Sequence, residues 1–229
     1  MRFGVIVFPG SNCDRDTYHV LSTLGAEVEY IWYRDSHTHE YEALVLPGGF
    51  SYGDYLRTGA IAATAPIMKS LREDIRQGKP VIGICNGFQI LLESGLLPGA
   101  LLTNSELKFI CRDVFLRCDN CDTLFSSCLQ AEQPLQMPIA HHTGNYFAER
   151  GVIEELEDED RVLFRYCDAN GMVSPAGNPN GSLGNIAGIL NRQKNVLGMM
   201  PHPERAADQE LGSVDGAGVF KSMLERVIA

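Results

Sequence analysis

The 229-residue sequence predicts an α/β fold with a mostly parallel central sheet. Short apolar runs alternate with stretches of helical periodicity through the first half, and Gly and Pro punctuate the joins. A composition 45% hydrophobic and 21% charged supplies one substantial core, so residues 1–229 read as a single domain, without repeats or low-complexity tracts.

Residues 2–8 form an apolar run closed by Pro9-Gly10, the pattern of a buried strand. Helical spacing over 15–24 stops at Gly25, and 27–33 is a second strand. A third strand, 43–46, ends sharply at Pro47-Gly48-Gly49. Residues 66–77 read as a helix, with Pro66 suited to its first turn and Gly78 past its end. The fourth strand, 81–84, runs straight into a helix over 86–94. Such alternation implies βαβ units with helices on both faces.

The second half changes character. Residues 107–118, 161–167, 186–191 and 196–200 read as strands joined by turns, which predicts antiparallel additions. Within them, 114–118 and 121–125 suggest a hairpin across Asp119-Asn120. The acidic run 154–160 reads as a solvated surface segment, 171–185 as a loop rich in Gly, Pro and Asn, and 215–228 as an amphipathic closing helix.

Charge narrows the function. With 19 basic against 29 acidic residues the net charge is −10, and no dense Lys/Arg cluster occurs, so nucleic acid is not an expected partner. The first residues hold too short an apolar run for a signal peptide or a membrane span, so no membrane association is expected and the expected location is cytoplasmic. Seven cysteines, an odd number, are expected to be reduced thiols there.

The strongest local signal is Val81-Ile82-Gly83-Ile84-Cys85-Asn86-Gly87-Phe88-Gln89. An apolar strand enters Gly-x-Cys-x-Gly and then a helix, the plan of a nucleophile elbow with Cys in place of Ser. The helix start places N–H groups and a positive dipole end near the Cys85 sulfur, which favours thiolate. The alternative is a structural Cys in a tight turn. A base is available downstream in Met200-Pro201-His202-Pro203-Glu204, where two prolines fix the backbone around His202. In an extended segment Glu204 lies on the same side as His202 and can orient its ring; the alternative is a surface-loop histidine. Acyl transfer also needs backbone donors for an oxyanion, and the Gly48-Gly49 turn can supply the Gly49 N–H beside that of Asn86.

Cys118-Asp119-Asn120-Cys121 has CxxC spacing, and Cys111 and Cys128 could complete a zinc set. Strand alternation would scatter these thiols, so no metal is expected. No Walker-type phosphate loop occurs, so no ATP site is expected either.

The elbow with Gln89, joined to Pro201-His202-Pro203-Glu204, resembles the class I (triad) glutamine amidotransferases. Residues 8–14, 47–57, 178–182 and 200–205 make the chain similar, over nearly its whole length, to the glutaminase subunits of phosphoribosylformylglycinamidine synthases. The resemblance implies a flavodoxin-like three-layer α/β/α fold. It implies Cys85 as nucleophile, His202 as acid/base, Glu204 as its orienter, Gly49 and Asn86 as oxyanion donors, and Gln89 in contact with substrate L-glutamine. It further implies delivery of ammonia to a large synthetase subunit that uses ATP and Mg, together with a small third subunit, and no cofactor on this chain. The chain runs from a first strand to a last helix, which suggests the separate-subunit form rather than a fusion. One departure stands at His141-His142-Thr143-Gly144-Asn145, where the family often has a small residue and Glu after the first His. A related cysteine hydrolase on the same fold, or a binding subunit that has lost catalysis, are the alternatives.

Overall fold

The computed structural model describes residues 1–131 and 133–228, apart from the side chains of Val227 and Ile228. The first half follows the alternation read from the sequence: β1 (Arg2–Val7), α1 (Asp14–Thr23), β2 (Glu27–Trp32), β3 (Ala43–Leu46), α2 (Ile67–Arg76), β4 (Val81–Ile84) and α3 (Asn86–Glu93). The second half holds β5 (Ala100–Thr103), β6 (Ile110–Cys118), β7 (Leu135–His141), β8 (Thr143–Phe147), α4 (Arg150–Asp158), β9 (Val162–Cys167), β10 (Ile186–Leu190), β11 (Val196–Met199) and α5 (Ala217–Ile228).

The nine-stranded main sheet has the order β2-β1-β3-β4-β11-β10-β9-β6-β7. The five strands from β2 to β11 are mutually parallel, and β10, β9, β6 and β7 continue antiparallel. The crossover through α1 moves one way along the sheet and that through α2 moves the other. Right-handed crossovers therefore place these helices on opposite faces, giving the α/β/α layering. Strands β3, β4 and β11 are buried at every residue, as strands covered on both sides must be, whereas the edge strand β7 alternates between buried and half-buried.

Three expectations need correction. Residues 121–125 are not the second arm of a hairpin: β6 pairs with β7 and β9, and the chain after Cys118 makes a compact turn closed by Ser126 Oγ donating to Asn120 O at 2.7 Å. The acidic run is no merely solvated segment. It lies largely in α4: Glu155 of the helix and Glu159 just past its end hold the buried Arg161, and Glu157 accepts from Arg165 Nη2 at 2.5 Å. Finally, β5 and β8, both unexpected, form a separate two-stranded antiparallel sheet.

Because β1, β3, β4 and β11 are parallel neighbours, their carboxyl ends share one edge. Residues 8–13, 47–50, 85–86 and 200–204 follow those ends, at the crevice where open α/β sheets bind ligands.

Candidate active site

Cys85 occupies the turn between β4 and α3 with φ 48° and ψ −102°, a conformation that L-residues adopt only under constraint. The constraint is local packing. A Cβ on Gly87 would stand 1.9 Å from the Leu46 carbonyl oxygen, and one on Gly83 would meet Leu91 Cδ1 at 2.4 Å. Only glycine at both positions lets strand, elbow and helix approach so closely. Cys85 N donates to Met199 O at 2.8 Å, tying the elbow to the end of β11.

That tie brings the base alongside. His202 has the expected extended backbone, φ −102° and ψ 90°, and donates its N–H to Pro138 O at 2.9 Å. Glu204 does not continue as extended chain but sits in the one-turn helix Pro203–Arg205. It still reaches the ring: His202 Nδ1–H donates to Glu204 Oε1 at 2.6 Å, with both side chains buried. Burial opposes charge on His202. The Glu204 carboxylate, and after it the Cys85 and Cys13 sulfurs, outweigh that penalty and raise its pKa well above the ordinary imidazole value. His202, with its raised pKa, and the positive end of α3 thus both lie at the Cys85 sulfur.

Gly49 has φ +150°, and a Cβ there would stand 2.8 Å from Ser11 Cα. The Gly48 carbonyl accepts from Cys13 N at 3.2 Å and Asn12 N at 3.4 Å. No peptide among the described residues is cis. A trans peptide with its carbonyl held by the 12–13 turn aims the Gly49 N–H the opposite way. Gly49 is also one of the residues around a cavity of about 40 Å³ that Cys85, His202, Phe50 and Ala140 share. Such a space admits one or two small groups, the scale of a side-chain amide.

Asn86 and Gln89 are buried behind this cavity. Asn86 Oδ1 accepts from Ser51 N at 3.1 Å, its Nδ2 donates to Gln89 Oε1 at 2.9 Å, and Gln89 Nε2 donates to Thr143 O at 2.7 Å. Gln89 thus ties the nucleophile helix to the departing segment His141–Asn145. His141 itself is buried, and Asn104 Oδ1 lies 3.0 Å from its Nδ1. Burial lowers its pKa to about 4, so it is neutral at physiological pH.

Three groups at the cavity escaped the sequence reading. Asn12, Cys13 and Arg205 line it, and Arg205 Nη2 donates to Cys13 Sγ at 3.1 Å. Cys13 directly follows the turn after β1 and Arg205 directly follows Glu204, but only the strand order makes them neighbours. The cysteines weighed for zinc do not converge among the described residues: Cys111 is exposed on β6 while Cys118 is buried.

Comparison with known proteins places the chain in a family. The family described as CobB/CobQ-like glutamine amidotransferase domain matches residues 1–217. The phosphoribosylformylglycinamidine synthase subunit PurQ of Moorella thermoacetica is 54% identical over 226 residues, covering 98% of this chain and 96% of the relative. A solved structure described as PurLQS from Thermotoga maritima matches with a TM-score of 0.88 at 45% identity, covering 99% of this chain and 98% of that one. A glutamine amidotransferase of Thermotoga maritima matches with a TM-score of 0.59 at 16% identity, over 100% of this chain and 98% of its own, and speaks for the fold alone. With a family match over nearly the full length and a relative more than half identical, the chain belongs to the CobB/CobQ-like glutamine amidotransferases.

Proposed function

We propose that this chain is the glutaminase subunit of a phosphoribosylformylglycinamidine synthase. It hydrolyses glutamine and passes the ammonia to an ATP-dependent synthetase subunit, which turns formylglycinamide ribonucleotide into the amidine, with a small third subunit in the assembly. The relative named PurQ and the PurLQS structure support the choice of ligase. The observation that carries the chemistry is the small cavity shared by Cys85, Gly49 and His202.

In this reading the Cys85 thiolate attacks the side-chain amide carbon of glutamine. The Gly49 and Asn86 N–H groups receive the oxyanion, each worth about 10²–10³ in rate. His202 protonates the leaving ammonia, and the γ-glutamyl thioester forms. His202 then takes a proton from water, which attacks the thioester and releases glutamate and the Cys85 thiolate. Glu204 keeps the imidazole in one orientation throughout. Gln89 would meet substrate by exchanging one of its internal partners. This chain binds no cofactor; ATP and Mg belong to the synthetase. In this reading the enzyme is cytoplasmic; no helix among the described residues is long and apolar enough to cross a membrane.

Cys13 offers a second reading of the nucleophile, since its sulfur also lies near His202 and Glu204. Burial raises its pKa, and it has no elbow. An electrophilic glutamine analogue decides the matter: peptide mapping should find the label on Cys85. Label on Cys13 instead would reverse the assignment.

A further inference from the structure

Cys13 is a buried thiol that the glutaminase reaction leaves unused. Its Sγ, a ring nitrogen of His202 and a carboxylate oxygen of Glu204 all lie within 4.8 Å of one another, and all three residues are buried. Glu204 Oε2 has no hydrogen-bond partner among the described residues, so one carboxylate oxygen of the group is uncommitted. One sulfur, one nitrogen and one oxygen thus converge on three buried residues.

That donor set has a chemical preference. Hard ions such as Mg²⁺ and Ca²⁺ take oxygen ligands, whereas zinc takes thiolate, imidazole and carboxylate together. Zinc bond lengths of about 2.0–2.3 Å place tetrahedral ligands roughly 3.3–3.8 Å apart, so pairs within 4.8 Å close by about 1.5 Å at most. His202 Nδ1 and Glu204 Oε1, now 2.6 Å apart, move apart or exchange Oε1 for Oε2. We propose that Cys13, His202 and Glu204 form a zinc site, and that its occupation shuts the glutaminase off.

Charge and protons balance. Before binding, the thiol is neutral and the imidazolium and carboxylate cancel. Zn²⁺ displaces the Cys13 S–H proton and the His202 Nδ1 proton, so two protons leave as two positive charges arrive. The imidazole keeps its proton on Nε2. Arg205, 3.1 Å from the Cys13 sulfur, goes on donating to it as thiolate, the outer-shell support that metal-bound sulfurs and imidazoles commonly have. The fourth position is left to water or to the Cys85 sulfur. Binding rests on this geometry alone, whereas inhibition rests also on the role proposed for His202.

The test titrates the metal-stripped full chain with ZnCl₂ against a chromophoric chelator, and with Co²⁺ as a spectroscopic substitute. The expected result is one ion per chain and a thiolate-to-cobalt charge-transfer band, both kept in Cys85→Ala. Cys13→Ser should lose the band and bind zinc at least tenfold more weakly. The Cys85→Ala spectrum serves even if Cys13→Ser fails to fold. A band that survives Cys13→Ser, or vanishes in Cys85→Ala, overturns the site, as does an absence of stoichiometric binding. Zinc should inhibit glutamine-dependent synthesis at the concentrations that fill the site. Binding without inhibition would leave the site standing and overturn the role given to His202.

Discussion

The turn from β1 to α1 and the turn from β4 to α3 are built alike. Each follows a buried parallel strand, puts a cysteine at the cap of a helix and brings that sulfur to His202. They differ in backbone and in company. Cys13 has a relaxed φ of −100°, and its sulfur meets Arg205 and Asn12 Oδ1. Cys85 has φ 48°, a cost of about 1–3 kcal/mol, and its sulfur donates to Ala140 O at 3.8 Å. Nearness to His202 therefore does not distinguish the proposed nucleophile from its neighbour. The difference lies in a backbone forced to present the sulfur, kept that way by glycines at 83 and 87.

The sharpest way to break this contrast is to remove each sulfur in turn. In the assembled enzyme, Cys85→Ala should lower glutamine-dependent synthesis by at least about 10⁴-fold while ammonia-dependent synthesis persists. Cys13→Ser should stay within about tenfold of wild type. Equal losses in the two variants would erase the distinction. The shared imidazole comes next. His202→Ala should fall below Glu204→Gln in kcat by about tenfold or more, because the amide still holds the ring while the charge is gone. Equal and complete loss in a folded Glu204→Gln would give Glu204 a direct part in proton transfer.

Stability measurements sharpen the backbone half of the comparison. Gly87→Ala puts a Cβ 1.9 Å from Leu46 O, in the tightest part of the elbow, and should cost about 3 kcal/mol or more in denaturant unfolding. Gly25→Ala has φ +88° to contend with but nothing within 4 Å, and should cost only about 1 kcal/mol.

The two buried histidines should titrate with opposite signs. His141 has its folded pKa lowered to about 4 by burial, so the unfolded chain binds the extra proton between about pH 6.5 and 4. Stability should fall through that window as pH drops, by about 3 kcal/mol at most, and His141→Asn should flatten the slope. His202, with its pKa raised, contributes stability that is whole below pH 6.5 and is lost only as pH rises through its folded value. The acid window thus isolates His141, and an unchanged slope in His141→Asn would contradict its buried neutral state. The smallest effect is at Arg57. Its side chain is 71% exposed and paired with Glu93, and Arg57→Ala should change stability by less than about 1 kcal/mol. A much larger drop in glutamine-dependent than in basal rate would mark this arm as a coupling element to the synthetase.

Much of the site was legible because its backbone is dictated locally. Gly83 and Gly87 frame Cys85, and Pro201 and Pro203 frame His202, so type and spacing alone announce an elbow and a held base. Cys13 and Arg205 carry no such frame, and their approach to the base follows from strand order, a long-range property. The fold shows the same divide. The first half reads to within a residue or two because most elements there end at Gly or Pro. β7 was missed because Pro138 interrupts its pattern; the strand tolerates proline since it lies at the sheet edge. In α4 the apolar side, Val152, Ile153 and Leu156, was hidden by the acidic residues between them.

The strand order also has a consequence in time. β11, fifth of nine in the sheet, lies between β4 and β10 and comes last among the strands in sequence. A nascent chain therefore displays the Cys85 elbow long before the strand that carries His202 has left the ribosome. Until β11 inserts, β4 and β10 each present an open edge, and Cys85 lacks the His202 proposed as its base. Closing the middle of the sheet last makes folding slow and exposes the chain to mispairing. It also means that glutamine hydrolysis begins only when the core is complete, so an unfinished chain releases no ammonia.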